Sequence, residues 1–313
     1  MTGWRVGLDI GGTKIHGVLV GPDGGVRAEH RAATVVGPEG IVRGAVDAVL
    51  ALRGEVPDDG APGADRLDAV GIGVPGVVDP ATGSVRYAMN LGLDAEPFAL
   101  AEAVSARLDG VRVVLENDLN ATAVGATVLL DGVGDDLAYL ALGTGVAVGL
   151  VLDGHLRRGR FGLAGEVGHL PVDPEGLECP CGQRGCLELY ASGSGLARQF
   201  PHTGPEPIAA VVFAAADAGD SLAVGVRDRL LDGVAEMTQI LVLSLDVGSV
   251  VLGGGIARLG ESLLAGVRSR LERREGSSEF LAASGLASRV RLAPTNVPVG
   301  AVGAALILEG GER

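Results

Sequence analysis

Residues 8–20 read L-D-I-G-G-T-K-I-H-G-V-L-V, two β-rich runs around the turn Gly11-Gly12-Thr13. Such a pattern predicts a hairpin, here from Trp4 to Val20. Glycine and aspartate are ordinary turn residues, so a plain hairpin is one reading. A phosphate loop is the other. Glycines at Gly11 and Gly12 let backbone N–H groups approach phosphate oxygens, Thr13 and Lys14 add donors, and Asp9 offers a carboxylate to Mg2+. The spacing is not that of a Walker A sequence. Residues 140–152 read L-A-L-G-T-G-V-A-V-G-L-V-L. Set against the first stretch without gaps, Gly11 meets Gly143 and Gly17 meets Gly149, with apolar residues in phase. The expectation is one supersecondary unit used twice, each copy opening a domain. The turns at Gly11-Gly12-Thr13 and Gly143-Thr144-Gly145 would then hold one nucleotide from both sides of a cleft. Chance similarity is the rival, because 52 of the 313 residues are glycine.

Outward from these hairpins, apolar spacing predicts a helix over Glu39 to Arg53. Pro57 to Ala64 reads as a loop, and Ala69 to Val74 as a buried strand leaving through Val74-Pro75-Gly76. Asp79 to Asn90 reads as a second hairpin region. Pro97 stands near the start of a helix reaching about Leu108. A strand over Val111 to Leu115 ends in Glu116-Asn117-Asp118, and a helix follows to Leu130. Polar residues at a strand's carboxyl end are where open α/β sheets place ligand chemistry, although Asn117 or Asp118 could simply cap the helix. Ser221 to Leu245 is a long helix. Ser249 to Leu252 is a strand before Gly253-Gly254-Gly255, where glycine permits close approach of a flat ligand or a phosphate. A helix from about Leu259 to Arg273, a strand over Ser288 to Leu292 and a helix over Val299 to Leu308 complete the chain.

All three cysteines, Cys179, Cys181 and Cys186, fall between Gly165 and Glu188, with His169 ahead of them. Three thiols and an imidazole are a full tetrahedral set for structural zinc. Reduced cysteines without a metal are the alternative, and their clustering argues for the metal. Glu166 and Glu188 flank the ligands. They are either solvated acids or a fixed pair of acceptors for a polyhydroxylated ligand.

The whole chain is 47% hydrophobic and 20% charged, which suits a sizeable globular core. A net charge of −14 disfavours DNA and anionic membranes as partners. The uncharged run Leu137 to Leu152 is short for a membrane span and carries four glycines or threonines in its middle. No signal peptide is legible after Met1, so the cytoplasm is the expected setting.

These motifs together resemble the ROK family of sugar kinases and related repressors, over nearly the whole chain. Asp9-Ile10-Gly11-Gly12-Thr13-Lys14 is similar to the family's N-terminal phosphate motif. Gly71 to Gly76 resembles its second turn, and Glu116-Asn117-Asp118 the segment bearing its catalytic aspartate. Gly162 to His169 resembles the signature ending G-E-x-G-H, and Cys179 to Glu188 matches C-x-C-G-x-x-G-C-x-E. The resemblance implies an α/β, actin-like ATPase (ribonuclease H-like) fold of two α/β domains around a cleft. Residues 1–119 would form a small domain completed by a C-terminal helix at 298–313, and residues 120–297 a large domain with the zinc loop 165–188. It implies an ATP-dependent hexose kinase acting on the 6-hydroxyl of glucose. N-acetylmannosamine, N-acetylglucosamine or fructose are alternative substrates, and a catalytically inactive sugar-binding regulator is a further alternative. Asp118 would be the base. Asn117, Asp118, Glu166, His169 and Glu188 would bind sugar hydroxyls, with backbone from Gly76. His169 would serve zinc with one ring nitrogen and sugar with the other. Asp9, Gly12, Thr13 and Lys14 would face phosphates and Mg2+, Thr144 would contact phosphates from the other domain, and Gly254 and Gly255 would border adenosine. Ala147 and Val148 depart from the family, whose second glycine turn often continues with glycine. The Asp9 motif stands almost at Met1, which leaves no room ahead of it for the repressors' winged helix. A homodimer or tetramer is implied as well.

Overall fold

The computed structural model describes residues 3–56, 67–295 and 297–307. The loop expected at Pro57–Ala64 lies outside them, as do residues 308–313 of the expected C-terminal helix. The first hairpin forms as the glycine turn predicts: β1 (Trp4–Ile10) runs antiparallel to β2 (Lys14–Val20), with Ile10 opposite Ile15. β3 (Val26–Ala33) extends the sheet at its edge. In α1 (Pro38–Arg53) proline takes the first turn, where its missing N–H costs nothing, and Ile41, Val42, Ala45, Val49 and Leu52 face inward. β4 (Leu67–Val74) lies parallel to β1, and β5 (Val77–Asp79) with β6 (Ser84–Arg86) makes a short hairpin that begins before the expected Asp79 and ends before the expected Asn90. The helix expected from Pro97 to Leu108 is shorter, with α2 covering only Leu100–Ser105. β7 (Arg112–Asn117) lies parallel to β4 and leads directly into α3 (Asp118–Leu129). The sheet order is β3-β2-β1-β4-β7.

The chain then builds a second sheet on the same plan. β8 (Leu137–Leu142), β9 (Val146–Leu152) and β10 (His155–Leu156) pair antiparallel in sequence. Next come α4 (Glu188–Ala191), α5 (Gly193–Gln199), α6 (Ile208–Asp217) and the long α7 (Ser221–Leu245). β11 (Ser249–Gly253) joins β8 in parallel. After α8 (Glu261–Gly276), α9 (Glu279–Ser284) and α10 (Leu286–Arg289), β12 (Val290–Leu292) joins β11 in parallel. The order β10-β9-β8-β11-β12 repeats the first sheet strand for strand, with the same directions. The repeat inferred from the two hairpins is therefore real at the level of topology, but its gapless alignment is not. Leu8 pairs with Gly17, whereas Leu140 pairs with Val148. Residues 11–14 separate the last pair of the first hairpin and residues 143–145 that of the second, so the second turn is one residue shorter. Gly17 thus corresponds to Val148, not to Gly149.

α11 (Val299–Leu306) returns to the first sheet. A Cβ added at Gly7 would lie 1.9 Å from the Ala301 carbonyl, and one at Gly71 1.8 Å from that of Ala304. Only glycine lets the helix lie so close to β1 and β4. On its other side α11 meets α3: a Cβ at Gly303 would lie 1.7 Å from Ala121 O, and one at Gly125 2.0 Å from Val299 O. The chain therefore divides into two compact units, Met1–Asp131 with Asn296–Arg313, and Gly132–Thr295. The division falls after α3 rather than at 119/120, because α3 is held by α11. Each unit has its own core, the first around Val6, Leu8, Ile41, Ile72 and Leu115, the second around Leu140, Val212, Leu230, Val250 and Val267. Among the described residues no helix is long and apolar enough to cross a membrane.

Candidate active site and metal centre

In the first unit the polar residues gather at the carboxyl ends of three parallel strands. The register sets Asp9, Gly73 and Glu116 side by side on β1, β4 and β7. Gly73 has room for little else: a Cβ there would lie 3.2 Å from Ala121 Cβ and 3.5 Å from Asp118 Cα. Asp118 opens α3 and accepts the Leu119 N–H on Oδ1 at 2.9 Å. Burial raises its pKa against that hydrogen bond. Asp9 is pushed up to about 6, first by burial and then by the negative charge of Asp118, against the pull of Lys14 and His16. Asn117 does cap α3, accepting the N–H groups of Leu119 at 3.0 Å and Asn120 at 3.3 Å. Its Nδ2 donates to Gly76 O at 3.3 Å. Gly76 has φ 96°, the left-handed region where a side chain would be strained.

The glycine turn is tight. Gly11 N–H donates to Lys14 O at 2.9 Å, and Thr34 clasps the turn through its hydroxyl on Gly11 O at 2.6 Å and its N–H on Thr13 O at 3.2 Å. A Cβ at Gly12 would come 2.9 Å from Asn90 Cβ, while Thr13 and Lys14 stand exposed. Sequence reasoning missed these supports, Thr34 and Asn90, because they lie far away in the chain. It named Glu116 with Asn117 and Asp118 but gave it no role: the residue is only 2% exposed, and its Oε1 accepts Asn117 N–H at 3.0 Å and Asn120 Nδ2 at 2.9 Å. A carboxylate ending an apolar strand was the available signal.

In the second unit the corresponding turn closes with Gly143 N–H on Gly145 O at 3.0 Å. Thr144 sits at its tip. Gly254 lies against it at the end of β11: with φ 83°, a Cβ there would lie 2.5 Å from Leu142 O. Gly255 begins the short turn Ile256–Leu259. The turn bearing Glu166 and His169 leans on β9, with Gly165 O accepting Val148 N–H at 3.0 Å. Glu166 is exposed and His169 half-buried. Glu188 begins α4, and its Oε2 accepts Val146 N–H at 2.9 Å.

His169, Cys179, Cys181 and Cys186 bring one donor atom each within 4.8 Å of one another. Cys181 and Cys186 Sγ are 3.7 Å apart, and Cys179 Sγ is 3.8 Å from His169 Nδ1. Zinc–sulfur bonds of about 2.3 Å and a zinc–nitrogen bond of about 2.0–2.1 Å give tetrahedral edges of about 3.8 and 3.6 Å. The donor set fits zinc in chemistry and spacing, with all four positions filled by protein. Gln183, not singled out by the sequence, braces the cluster: its Nε2 donates to His169 O at 3.0 Å and to Cys181 Sγ at 3.5 Å. That side-chain hydrogen bond holds the Cys181 thiol down to about 6, whereas burial pushes Cys186 up to about 12.

Comparison with known proteins fits this geometry. The ROK family model matches residues 5–310. A glucokinase of Thermotoga maritima is 35% identical over 285 residues, 85% of this chain and 86% of its own. An N-acetylmannosamine kinase of Yersinia pseudotuberculosis is 31% identical over 81% of this chain and 83% of its own. The ROK hexokinase structure from Thermus thermophilus superposes with a TM-score of 0.81, at 32% identity and 98% coverage of both chains. A ROK family glucokinase from Streptomyces griseus in complex with glucose and AMPPNP gives a TM-score of 0.67, at 34% identity over 97% of this chain and 99% of that one. The repeated five-stranded sheet with its two glycine turns is an actin-like ATPase fold. Within that class the chain belongs to the ROK family.

Proposed function

We propose that this chain is an ATP-dependent sugar kinase that transfers the γ-phosphate of ATP to the 6-hydroxyl of glucose. The observation that carries it is the placing of Asp118 beside Asp9: Asp9 pairs with Gly73, where a Cβ would lie 3.5 Å from Asp118 Cα. An acceptor for a hydroxyl proton thus stands beside the Gly11–Lys14 turn, which has the donors for phosphate. The curated glucokinase relative and the solved glucose and AMPPNP complex support the same chemistry.

In this reading Asp118 takes the proton of the attacking 6-hydroxyl as the new O–P bond forms and the bond to ADP breaks. Phosphoryl transfer asks mainly for positioning and charge neutralisation. Backbone N–H groups of Gly12 and Gly145, with Thr13, Lys14 and Thr144, supply donors to the phosphates, while the N–H groups of Gly11 and Gly143 close the turns that present them. Burial and then the charge of Asp118 raise the pKa of Asp9, and a divalent cation beside the two carboxylates would offset both. Mg2+ held there would supply charge neutralisation at the phosphates. Gly254 and Gly255 border the adenosine. Asn117, Glu166, Glu188 and His169 Nε2 receive sugar hydroxyls, with Gly76 contributing backbone. His169 Nδ1 and the three thiols hold one structural zinc. A homo-oligomer in a cytoplasmic setting completes the proposal.

The test is ATP-dependent phosphorylation of a sugar panel, with metal analysis of the same protein. Glucose should give the highest kcat/KM, with about one zinc per chain. The N-acetylmannosamine kinase relative supports a second reading, and a higher kcat/KM on that sugar would replace glucose with it.

A further inference from the structure

Three hydrogen bonds tie the start of α4 and α5 to the glycine turn of the second unit. Val146 N–H donates to Glu188 Oε2 at 2.9 Å. Gly193 N–H donates to Gly143 O at 2.8 Å, and Ser194 N–H to Thr144 O at 3.1 Å. The junction that makes these bonds is stiff. Ser192 is fully buried, and its hydroxyl accepts Gly195 N–H at 3.0 Å. Two of the three bonds are backbone to backbone. The third comes from the side chain of a residue that the functional reading assigns to the sugar.

The surroundings of Glu188 make this contact close. A Cβ at Gly145 would lie 2.6 Å from Glu188 Oε2. Gly145 must therefore be small where the carboxylate passes, whatever the nucleotide asks. A Cβ at Gly168 would lie 2.7 Å from Val146 O and 3.5 Å from Glu188 Cβ. The turn carrying Glu166 and His169 thus leans on the same two residues. Oε1 of Glu188, by contrast, hydrogen-bonds no described residue.

We propose that Glu188 is a positioning residue for the nucleotide turn, one carboxylate oxygen fixing Val146 while the other takes a sugar hydroxyl. The inference rests on the sugar-kinase reading and deepens it. A hydroxyl donated to Oε1 pins the carboxylate plane, and with it Oε2 and the turn that ends at Val146. Sugar then tightens nucleotide binding, and linkage requires nucleotide to tighten sugar by the same factor.

Two substitutions separate the two oxygens. In Glu188→Gln the amide oxygen can still accept Val146 N–H, but an NH2 group faces the sugar. Glu188→Asp keeps the charge and loses the reach to Val146. Titration calorimetry with AMPPNP and Mg2+, without and with glucose, reads both clients. Wild type should bind AMPPNP at least about fivefold more tightly in the presence of glucose. Glu188→Gln should keep the wild-type AMPPNP affinity in the absence of glucose, bind glucose weakly and lose the coupling. Glu188→Asp should weaken AMPPNP about tenfold or more in the absence of glucose, the loss expected for a hydrogen bond to a charged acceptor. Thermal unfolding of both variants near the wild-type Tm places the effect in binding. Wild-type AMPPNP affinity and coupling in Glu188→Asp would overturn the inference and leave the kinase reading standing. A wild type that binds no nucleotide overturns both.

Discussion

Burial raises the pKa of Asp118, and burial followed by the charge of Asp118 raises that of Asp9 in the same unit. For Asp118, in the proposed kinase reading, the consequence is catalytic. A base with a pKa above the ordinary carboxylate range accepts a hydroxyl proton more readily. Asp118→Asn keeps an oxygen for Leu119 N–H, so the first turn of α3 should survive. Its kcat should fall by about 10²–10⁴-fold while glucose still binds. Near-wild-type turnover in steady-state assays would leave Asp118 as no more than the first residue of α3. For Asp9 the consequence is a pH-dependent stability. Its pKa rises from 3.8 to about 6 on folding, so the folded chain holds the extra proton across that interval. Stability from this group is full below the lower value and is lost as pH rises to the upper one, by about 3 kcal/mol in all. Asp9→Asn should therefore be more stable than wild type at pH 7 in magnesium-free buffer and no more stable at pH 4. Urea titrations at the two pH values measure the difference, and an equal difference at both would remove the assignment.

Elements show which signals were legible in the sequence. The two glycine turns, the Cys-His cluster and the strand-to-helix step at Glu116-Asn117-Asp118 are local patterns, and each forms where the sequence places it. β3 was not legible, because V-R-A-E-H-R-A-A alternates between half-buried and exposed and offers no apolar run. α2 gives way to turns after Ser105 although Leu108 continues the apolar stripe, with the Ser105 hydroxyl donating to Val111 O at 2.8 Å and its carbonyl accepting Gly110 N–H at 3.0 Å. The off-by-one between the hairpins was hidden by glycine at both Gly17 and Gly149. Supports such as Thr34, Asn90 and the Glu188–Val146 bond join residues far apart in the chain, and no local pattern records them. Nor does any mark the glycines that seat α11. Gly303→Ala sets two effects against each other. Helix propensity favours alanine by about 1 kcal/mol. The new methyl would meet Ala121 O at 1.7 Å, a backbone atom that moves only if α3 moves. Overpacking of this kind costs about 1–3 kcal/mol, so the clash should win and lower the urea midpoint. An unchanged or higher midpoint would show that α11 is not seated as described.

At the scale of the molecule, the chain leaves its first unit at Asp131 and returns to it at Asn296. The first sheet thus waits for the last element of the chain. One of its faces is covered by α1; the other depends on α11, whose Ala301, Val302 and Leu306 pack with Val18 and Val20 in a separate apolar cluster. A chain ending at Pro298 leaves Val18 and Val20 with only the partly buried Val26, Val124 and Leu129 against them and removes Val302 and Leu306. Burial of each such side chain contributes about 1.5–3 kcal/mol. The sum is on the scale of a whole domain's stability, about 5–15 kcal/mol. The Gly7 and Gly71 positions, against which α11 is seated, present no side chains to close the gap. The second unit has its own continuous core and loses none of it. The truncated chain should therefore lose amide protection in β1, β2, β4 and β7 while β8, β9 and β11 stay protected in hydrogen exchange read by mass spectrometry. Protection retained in β1 and β4 would mean that α1 alone holds the first sheet. Loss of protection in both sheets would mean that the second unit does not stand on its own core.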